Sequence, residues 1–379
     1  MHNNSSNSQR VDMSAAAAGD AIVIVGAGII GLDVALVLAE RGLGPYITVI
    51  AEHLPGDTAA TYTSPWDAGA EADHGDGRAG CNFSGISGSD KNALKWDRLG
   101  YTHLTKLASE QGDEAYIRRT HSIEYWDEHV PHDKIKAIAE YLEDFRELPA
   151  QELPPGVKFG ISFTTLTLNA PKHIEYLFRR LKEQYGVHFV RQRFPSIQAA
   201  YASPTTKVVV NCTGIAAKTL PGVEDEKCYP TRGQVVLVKA PRVKRNIMRH
   251  GKDYETYVIP RPGTDGHVIL GGYMQKGSSD GSTYSYETES IVNRCLKLCP
   301  ELQQFDIIAS FAGLRPSREG GARIEREEIV IDGKKKVLVH NYGAGGTGYQ
   351  AGYGMALEAV GHVDDVLRDL ERASRRARL

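Results

Sequence analysis

Residues 21–42 read AIVIVGAGIIGLDVALVLAERG. Ala21 to Val25 is an unbroken apolar run, the composition of a strand buried on both faces. Gly26, Gly28 and Gly31 follow in G-x-G-x-x-G spacing. Leu32 to Glu40 then has helical composition, and Gly42 suits the end of a helix. A second apolar run, YITVI at 46–50, leads into Ala51 and Glu52. The whole is a βαβ unit. Its first glycine allows a tight turn, and its second lets a pyrophosphate approach the backbone. The third lets helix and strand pack closely, with phosphate at the helix N-terminus. Glu52 stands about 20 residues further on, where a carboxylate accepts from a ribose hydroxyl. A bound dinucleotide is expected, and the motif alone does not choose between NAD and FAD.

The rest of the chain must house that unit. Its 379 residues allow two domains with sizeable cores. The net charge of -2 gives no field for nucleic acid or an anionic membrane. The most apolar stretch is the one quoted, and its glycines and Asp33 rule it out as a membrane span. Cys81, Cys212, Cys228, Cys295 and Cys299 form no paired zinc spacing and no secreted disulfide scaffold. Cys295 and Cys299 lie four apart, as core positions of a helix do, and whether a single disulfide forms stays open. The acid-and-histidine runs EADHGDG (71–77) and WDEHVPHD (126–133) have no pattern of supporting ligands, so no metal is expected. Residues 1–20 are polar and alanine-rich, the composition of a disordered extension. They hold no apolar core of a signal peptide.

From about residue 69 to 159 the pattern changes to polar loops and amphipathic helices, as in a second domain inserted into the first. GISFTTLTLNAPKHIEYLFRRLKEQYGVHFV (160–190) reads strand, helix, strand, with Asn169 placed to cap and Pro171 in the first turn. VVVNCTG (208–214) is a further buried strand. TRGQVVLVKAP, TYVIPRPG and HVILGGYM read as strands of an antiparallel sheet. A helix is expected from Tyr286 to Leu298, and a hairpin turn at Asp332-Gly333. A glycine-rich run, NYGAGGTGYQAGYG (341–354), opens the last helix.

Together, GAGIIGL, TSPWDAGA, VVVNCTG, RGQVVLV, YVIPRPG, GLRPSREGGARIE and HNYGAGGTGYQ resemble the D-amino acid oxidase family of FAD enzymes, related to D-aspartate oxidase. The resemblance runs from Ala21 to the C-terminus. It implies an α/β fold in which a Rossmann-like FAD domain, discontinuous in sequence, holds 21–72, 160–222 and 313–379. A second α+β domain, built on a large antiparallel sheet, holds 73–159 and 223–312.

The resemblance also assigns residues. Arg315 would grip a substrate carboxylate with two parallel hydrogen bonds, and Tyr257 would help to hold it. The carbonyl of Gly346 would accept from the substrate amine, at a place where a Cβ would collide with substrate or ring. Tyr254 could belong to a lid, and Tyr273 or Met274 would line the side-chain pocket. An apolar Met274, where D-aspartate-preferring relatives tend to place an arginine, speaks for neutral D-amino acids. Arg318 and Arg323 are read as solvated or structural. FAD would lie along Gly26, Ala27, Gly28, Ile29, Ile30, Gly31, Glu52, Ser64, Ala68, Gly69, Ala70, Arg193, Phe194, Thr213 and Gly214. Gly345, Gly346, Thr347, Gly348, Tyr349 and Gln350 would turn backbone N–H groups to the flavin edge that becomes negative on reduction. The implied reaction is hydride transfer from Cα to flavin N5, then reoxidation by dioxygen to hydrogen peroxide. The imino acid would hydrolyse to a 2-oxo acid and ammonia. Ala377-Arg378-Leu379 resembles the C-terminal peroxisomal signal, which implies an import receptor as partner and the peroxisomal matrix as location. The oligomeric state, a homodimer included, stays open. The rival readings are D-aspartate oxidase, a glycine or sarcosine oxidase, an NAD-dependent dehydrogenase, and a dinucleotide-binding protein without catalysis.

Overall fold

The computed structural model describes residues 20–57, 62–65, 80–84, 91–252 and 254–377. Ala68, Gly69, Ala70, residues 1–19, the 71–77 run and the last two residues lie outside these.

Strand Ile22–Val25 is fully flanked, as its unbroken apolar run requires. It runs parallel to Ile47–Ala51 on one side and to Val208–Asn211 on the other. His188–Arg191 and Lys334–Tyr342 extend the sheet in parallel, and Arg323–Ile331 closes one edge as an antiparallel hairpin arm. The hairpin turns at Asp332 and Gly333, both at positive φ (49° and 72°), as Asp-Gly turns require. Helix Ile29–Leu38 is buried almost all round. It lies between this six-stranded sheet and the helices Ala170–Glu183 and Gly348–Gly361. Asp33, which interrupts its apolar run, is buried too, and burial pushes its carboxyl well above the usual range.

The second sheet has ten strands and is mixed rather than purely antiparallel: Asn246–His250 runs parallel to Ile117–Trp126. Two boundaries differ from expectation. Phe159–Asn169 pairs with Ile117–Trp126 in this second sheet, so the chain returns to the first domain after Asn169, and not at 160. Asp306–Arg318 pairs along Cys228–Lys239 as far as Arg318, so the strand bearing Arg315 belongs to the second sheet. Phe159–Asn169 misleads because it is buried on both faces, like a parallel core strand. Asn169 precedes helix Ala170–Glu183, but its amide donates to the Pro262 carbonyl rather than capping the helix.

The glycine-rich run opens helix Gly348–Gly361, which is not the last one, since Asp364–Ala377 follows, and the inserted helix Lys91–Ala115 crosses Gly348–Gly361 at backbone distance. A Cβ on Gly100 would lie 1.7 Å from the Gln350 carbonyl oxygen, and one on Gly354 would lie 2.5 Å from that of Trp96. Part of the late glycine run therefore serves helix packing. Helix Ser285–Leu298 covers the second sheet, with Cys295 and Cys299 buried beneath it as free thiols. Among the described residues no group of side chains could hold a metal ion, and no helix is long and apolar enough to cross a membrane.

Candidate active site

A cavity of about 1230 Å³ runs between the two sheets. It exceeds the roughly 300–1,000 Å³ of ordinary small-molecule sites, as a dinucleotide with a substrate beyond it requires.

One end is the turn after Ile22–Val25. Gly26 has φ +112°, and a Cβ there would lie 2.4 Å from the Cys212 carbonyl oxygen. Only glycine lets the first turn pass so close to the neighbouring strand. Gly26, Ala27, Gly28, Ile29 and Ile30 line the cavity. Gly31 does not, because it packs the helix onto the turn: a Cβ there would sit 2.0 Å from the Gly26 oxygen. Ser64 Oγ accepts from the Ile29 N–H at 2.9 Å, and the Tyr349 hydroxyl donates to the Ser64 carbonyl at 2.8 Å. The two helix N-termini are thereby tied together across the cavity. Glu52 lies on the wall with half its side chain exposed, 3.8 Å from Arg193 Nε. Phe194, Thr213 and Gly214 continue the wall. Thr213 donates both its N–H and its hydroxyl to Asn211 Oδ1, so the side chain of Asn211 fixes that turn.

The opposite wall is the late glycine run. Gly345–Thr347 forms a short turn into helix Gly348–Gly361, and residues 341–350 all line the cavity. The first-turn N–H groups of a helix have no partner within it, so this end offers donors to an anionic edge. The Gln350 side chain is not among them. Its amide donates to Asp97 Oδ1 at 2.9 Å and accepts from the Ser84 N–H at 3.2 Å. Asn341, absent from the expected set, is fully buried, lines the cavity, and has no protein partner for either amide atom. Buried amides are almost always paired, so a polar ligand group fits here. With the glycine turn and the two helix ends, these residues fit FAD.

The far end is built by the second sheet. Arg315 faces Thr231 across the ladder, and its Nη1 donates to the Tyr273 carbonyl at 3.2 Å. Gly233 makes the space: a Cβ there would lie 2.4 Å from that nitrogen. Tyr257 is buried, and its phenol is hydrogen-bonded with Arg315. Burial pushes that phenol above its ordinary range, and the guanidinium pulls it partly back. Gly271 and Gly272 house the tyrosine ring. Gly346 lies on the wall, where an added Cβ would stand 3.5 Å from Arg315 Cδ. The protein itself would tolerate that contact, so the cost of a side chain there falls on whatever fills the cavity.

Met274 lines the mouth and is 59% exposed. Tyr273 is not on the wall; its ring lies under the guanidinium of Arg294, 5.2 Å away. Tyr254 is not on the wall either, since its hydroxyl donates to Asp127. That corrects its expected place in a lid. Arg318 pairs with Asp225, and Arg323 with Glu325 and Glu327, both structural. Glu255, unremarked in the sequence, lines the cavity on the same strand face as Tyr257.

A cavity walled by a nucleotide-binding sheet at one end and a half-buried arginine beside a buried tyrosine at the other belongs to an enzyme that brings a dinucleotide and a small acid together. The chain belongs to the FAD dependent oxidoreductase family, whose model matches residues 21–360. It is 44% identical over 346 residues to a D-amino-acid oxidase of Schizosaccharomyces pombe, spanning 89% of this chain and 94% of that one. It is 32% identical to a D-aspartate oxidase of Homo sapiens, over 92% of this chain and 96% of that one. Among solved structures it is similar to a glycine oxidase from Bacillus cereus, with TM-score 0.66 and 18% identity over 89% of this chain and 95% of that one. An L-alpha-glycerophosphate oxidase from Mycoplasma pneumoniae with FAD bound matches with TM-score 0.62 and 18% identity, over 89% and 93%. These last two likenesses show the fold.

Proposed function

We propose that the protein is an FAD-dependent D-amino acid oxidase. The observation that carries this reading is the Arg315–Tyr257 pair, placed at the inner end of the cavity whose other end fits the dinucleotide. Bound FAD supplies a two-electron acceptor for the hydrogen on Cα and passes its electrons to dioxygen, giving hydrogen peroxide. Arg315 presents a rigid planar fork to the α-carboxylate. Tyr257 adds one donor to the same group. The Gly346 carbonyl, on the opposite wall, accepts from the neutral amine. Two fixed points, carboxylate and amine, leave one direction for the Cα hydrogen and so select one enantiomer. No side chain need act as base if the amine is already deprotonated. The product imine hydrolyses in water to a 2-oxo acid and ammonia.

The test is peroxide release by the purified, FAD-supplied protein on D-alanine, L-alanine and D-aspartate in parallel. Peroxide from D-alanine alone is expected. Release mainly from D-aspartate would transfer the reading to a D-aspartate oxidase with the same mechanism. A protein that binds no flavin chromophore would favour a nicotinamide-dependent dehydrogenase. Tyr257→Phe should lose about 1–2 kcal/mol of transition-state binding, roughly tenfold in kcat/KM, since one hydrogen bond to a charge is removed. An unchanged kcat/KM would show that Tyr257 does not touch the substrate.

The C-terminal Ala377-Arg378-Leu379 supports peroxisomal import. A fluorescent reporter carrying the last dozen residues, about the length a C-terminal signal needs, should collect in peroxisomes. A diffuse cytosolic reporter would remove this assignment.

A further inference from the structure

The chemistry above leaves one chain of ionisable groups unused. Glu255, Tyr257 and Ile259 alternate along strand Glu255–Pro260 and all line the cavity. Glu255 therefore stands about 7 Å along the same face from Tyr257, a distance an extended lysyl or arginyl side chain covers. Its Oε2 lies 2.6 Å from Nδ1 of His250, its cross-strand partner. The other ring nitrogen of His250 lies 3.4 Å from Glu124 Oε2. Glu124 is fully buried, and the Ser84 hydroxyl donates to it at 2.8 Å, while its Oε1 has no partner. Trp126 stacks on the imidazole with ring centres 4.9 Å apart.

Beyond Arg315, which lines the cavity on the far side of Tyr257, the charges on this wall can be counted by name. Burial alone would lower the His250 pKa, but the two carboxylates outweigh it and raise it to about 9. One imidazolium thus stands between two carboxylates. Lys134 lies on the Glu124 side, where Asp97 shares it. Arg249 is taken by Asp127, and Arg294 by Thr256 Oγ1 and the Gly272 carbonyl. The end of the chain that meets the cavity is a carboxylate held in one position. The same wall carries Met248 and Ile259, with the Asn82 amide 3.2 Å from the Met248 sulfur.

We propose that Glu255, fixed by His250, makes the side-chain end of the substrate cavity anionic, and selects D-amino acids with basic side chains over those with acidic ones. The proposal rests on the oxidase reading and names its substrate class more closely. A fixed carboxylate needs no reordering to meet an ammonium or guanidinium, and it repels a second substrate carboxylate at the same place. Neutral side chains use the methionine and isoleucine wall. His250 is a positioning residue here.

The experiment compares kcat/KM at neutral pH for D-lysine, its neutral isostere D-norleucine, D-glutamate and D-alanine, using the FAD-loaded full chain. The wild-type enzyme should favour D-lysine over D-glutamate by about a hundredfold, because one charge attracts where the other is repelled. Glu255→Gln should lower the D-lysine to D-norleucine ratio by about tenfold, mainly through KM. Glu255→Asp, which keeps the charge, should hold most of that ratio. A ratio unmoved in Glu255→Gln overturns the proposal while D-alanine oxidation upholds the oxidase reading. A wild-type preference for D-glutamate overturns it without any variant, which also decides the matter if Glu255→Gln fails to fold. Oxidation of none of the four would overturn both readings together.

Discussion

Arg315→Ala should lower kcat/KM on D-alanine about a thousandfold, corresponding to about 4 kcal/mol. The magnitude follows from where the arginine sits. It is half-buried on a strand of the second sheet, in a space that Gly233 keeps open. Its Nη1 donates to the Tyr273 carbonyl, and its guanidinium acts on the Tyr257 phenol. A guanidinium in that position offers an entering carboxylate two parallel charge-assisted hydrogen bonds. Removing it leaves that carboxylate to be desolvated against one phenol. Most of the loss should appear in KM, with a further loss in kcat because Cα is no longer held at one distance. Arg315→Lys keeps the charge but not the fork, and should recover only part of the activity. Gly233→Ala is an independent check, since its methyl would stand 2.4 Å from Nη1 and displace the guanidinium without deleting it. All three variants should still bind FAD, because the dinucleotide end of the cavity is built from other strands. Wild-type kinetics in Arg315→Ala would mean that another group holds the carboxylate.

The Arg315 assignment could not have come from periodicity. The strand, turn and helix at 21–42 were legible because an unbroken apolar run, three spaced glycines and a helical run each carry a local physical cost if misplaced. The Asp332-Gly333 hairpin was legible for the same reason, as both residues take positive φ. Arg315 and Tyr257, in contrast, were reachable only through resemblance. An arginine on a strand looks the same whether it meets a substrate or an aspartate, as Arg318 does. Phe159–Asn169 was assigned to the wrong sheet because burial on both faces carries no label for the sheet that buries it. Glu255 was within reach: counting by two from Tyr257 places it on the cavity wall. Tyr254 drew attention instead through its ring, and parity turns it away. Asn341 stood inside a quoted motif, but its missing partners are a property of the folded cavity. The same holds for Gly100 and Gly354, whose close approach joins segments far apart in sequence.

Glu287→Ala should destabilise the protein by about 3–5 kcal/mol, the usual consequence of leaving a buried charge uncompensated. Arg232 and Glu287 are each only 1% exposed, with Nη1 2.9 Å from Oε2. Neighbours hold both side chains of the pair, through Nη1 and Nη2 of Arg232 and the Glu287 carboxylate. Gln275 Oε1 accepts from Arg232 at 2.6 Å, and its amide donates to Glu287 at 3.0 Å. The Ser282 carbonyl accepts from the other guanidinium nitrogen, and Gln234 donates to the Tyr284 carbonyl at 2.9 Å. These bonds tie both ends of segment 275–284 and the start of helix Ser285–Leu298 to strand Cys228–Lys239. Ser279 and Gly281 of that segment, and Met274 just before it, line the cavity. Loss of the carboxylate should therefore loosen the mouth as well as weaken the fold, and raise KM for D-amino acids more than it lowers kcat. Urea denaturation of the FAD-loaded protein measures the first effect as a lowered midpoint at unchanged slope. The double variant Arg232→Met/Glu287→Leu separates two explanations. If the cost is the unpaired arginine, the apolar pair should recover most of the lost stability, because a well-packed replacement removes both desolvation penalties at once. If the double variant is as unstable as the single one, the network's hydrogen bonds to Gln275, Ser282 and Gln234 hold the segment, and the charges only accompany them. A single Glu287→Ala variant within about 1 kcal/mol of wild type would contradict both, since neither a buried cation nor a severed network is compatible with so small a change.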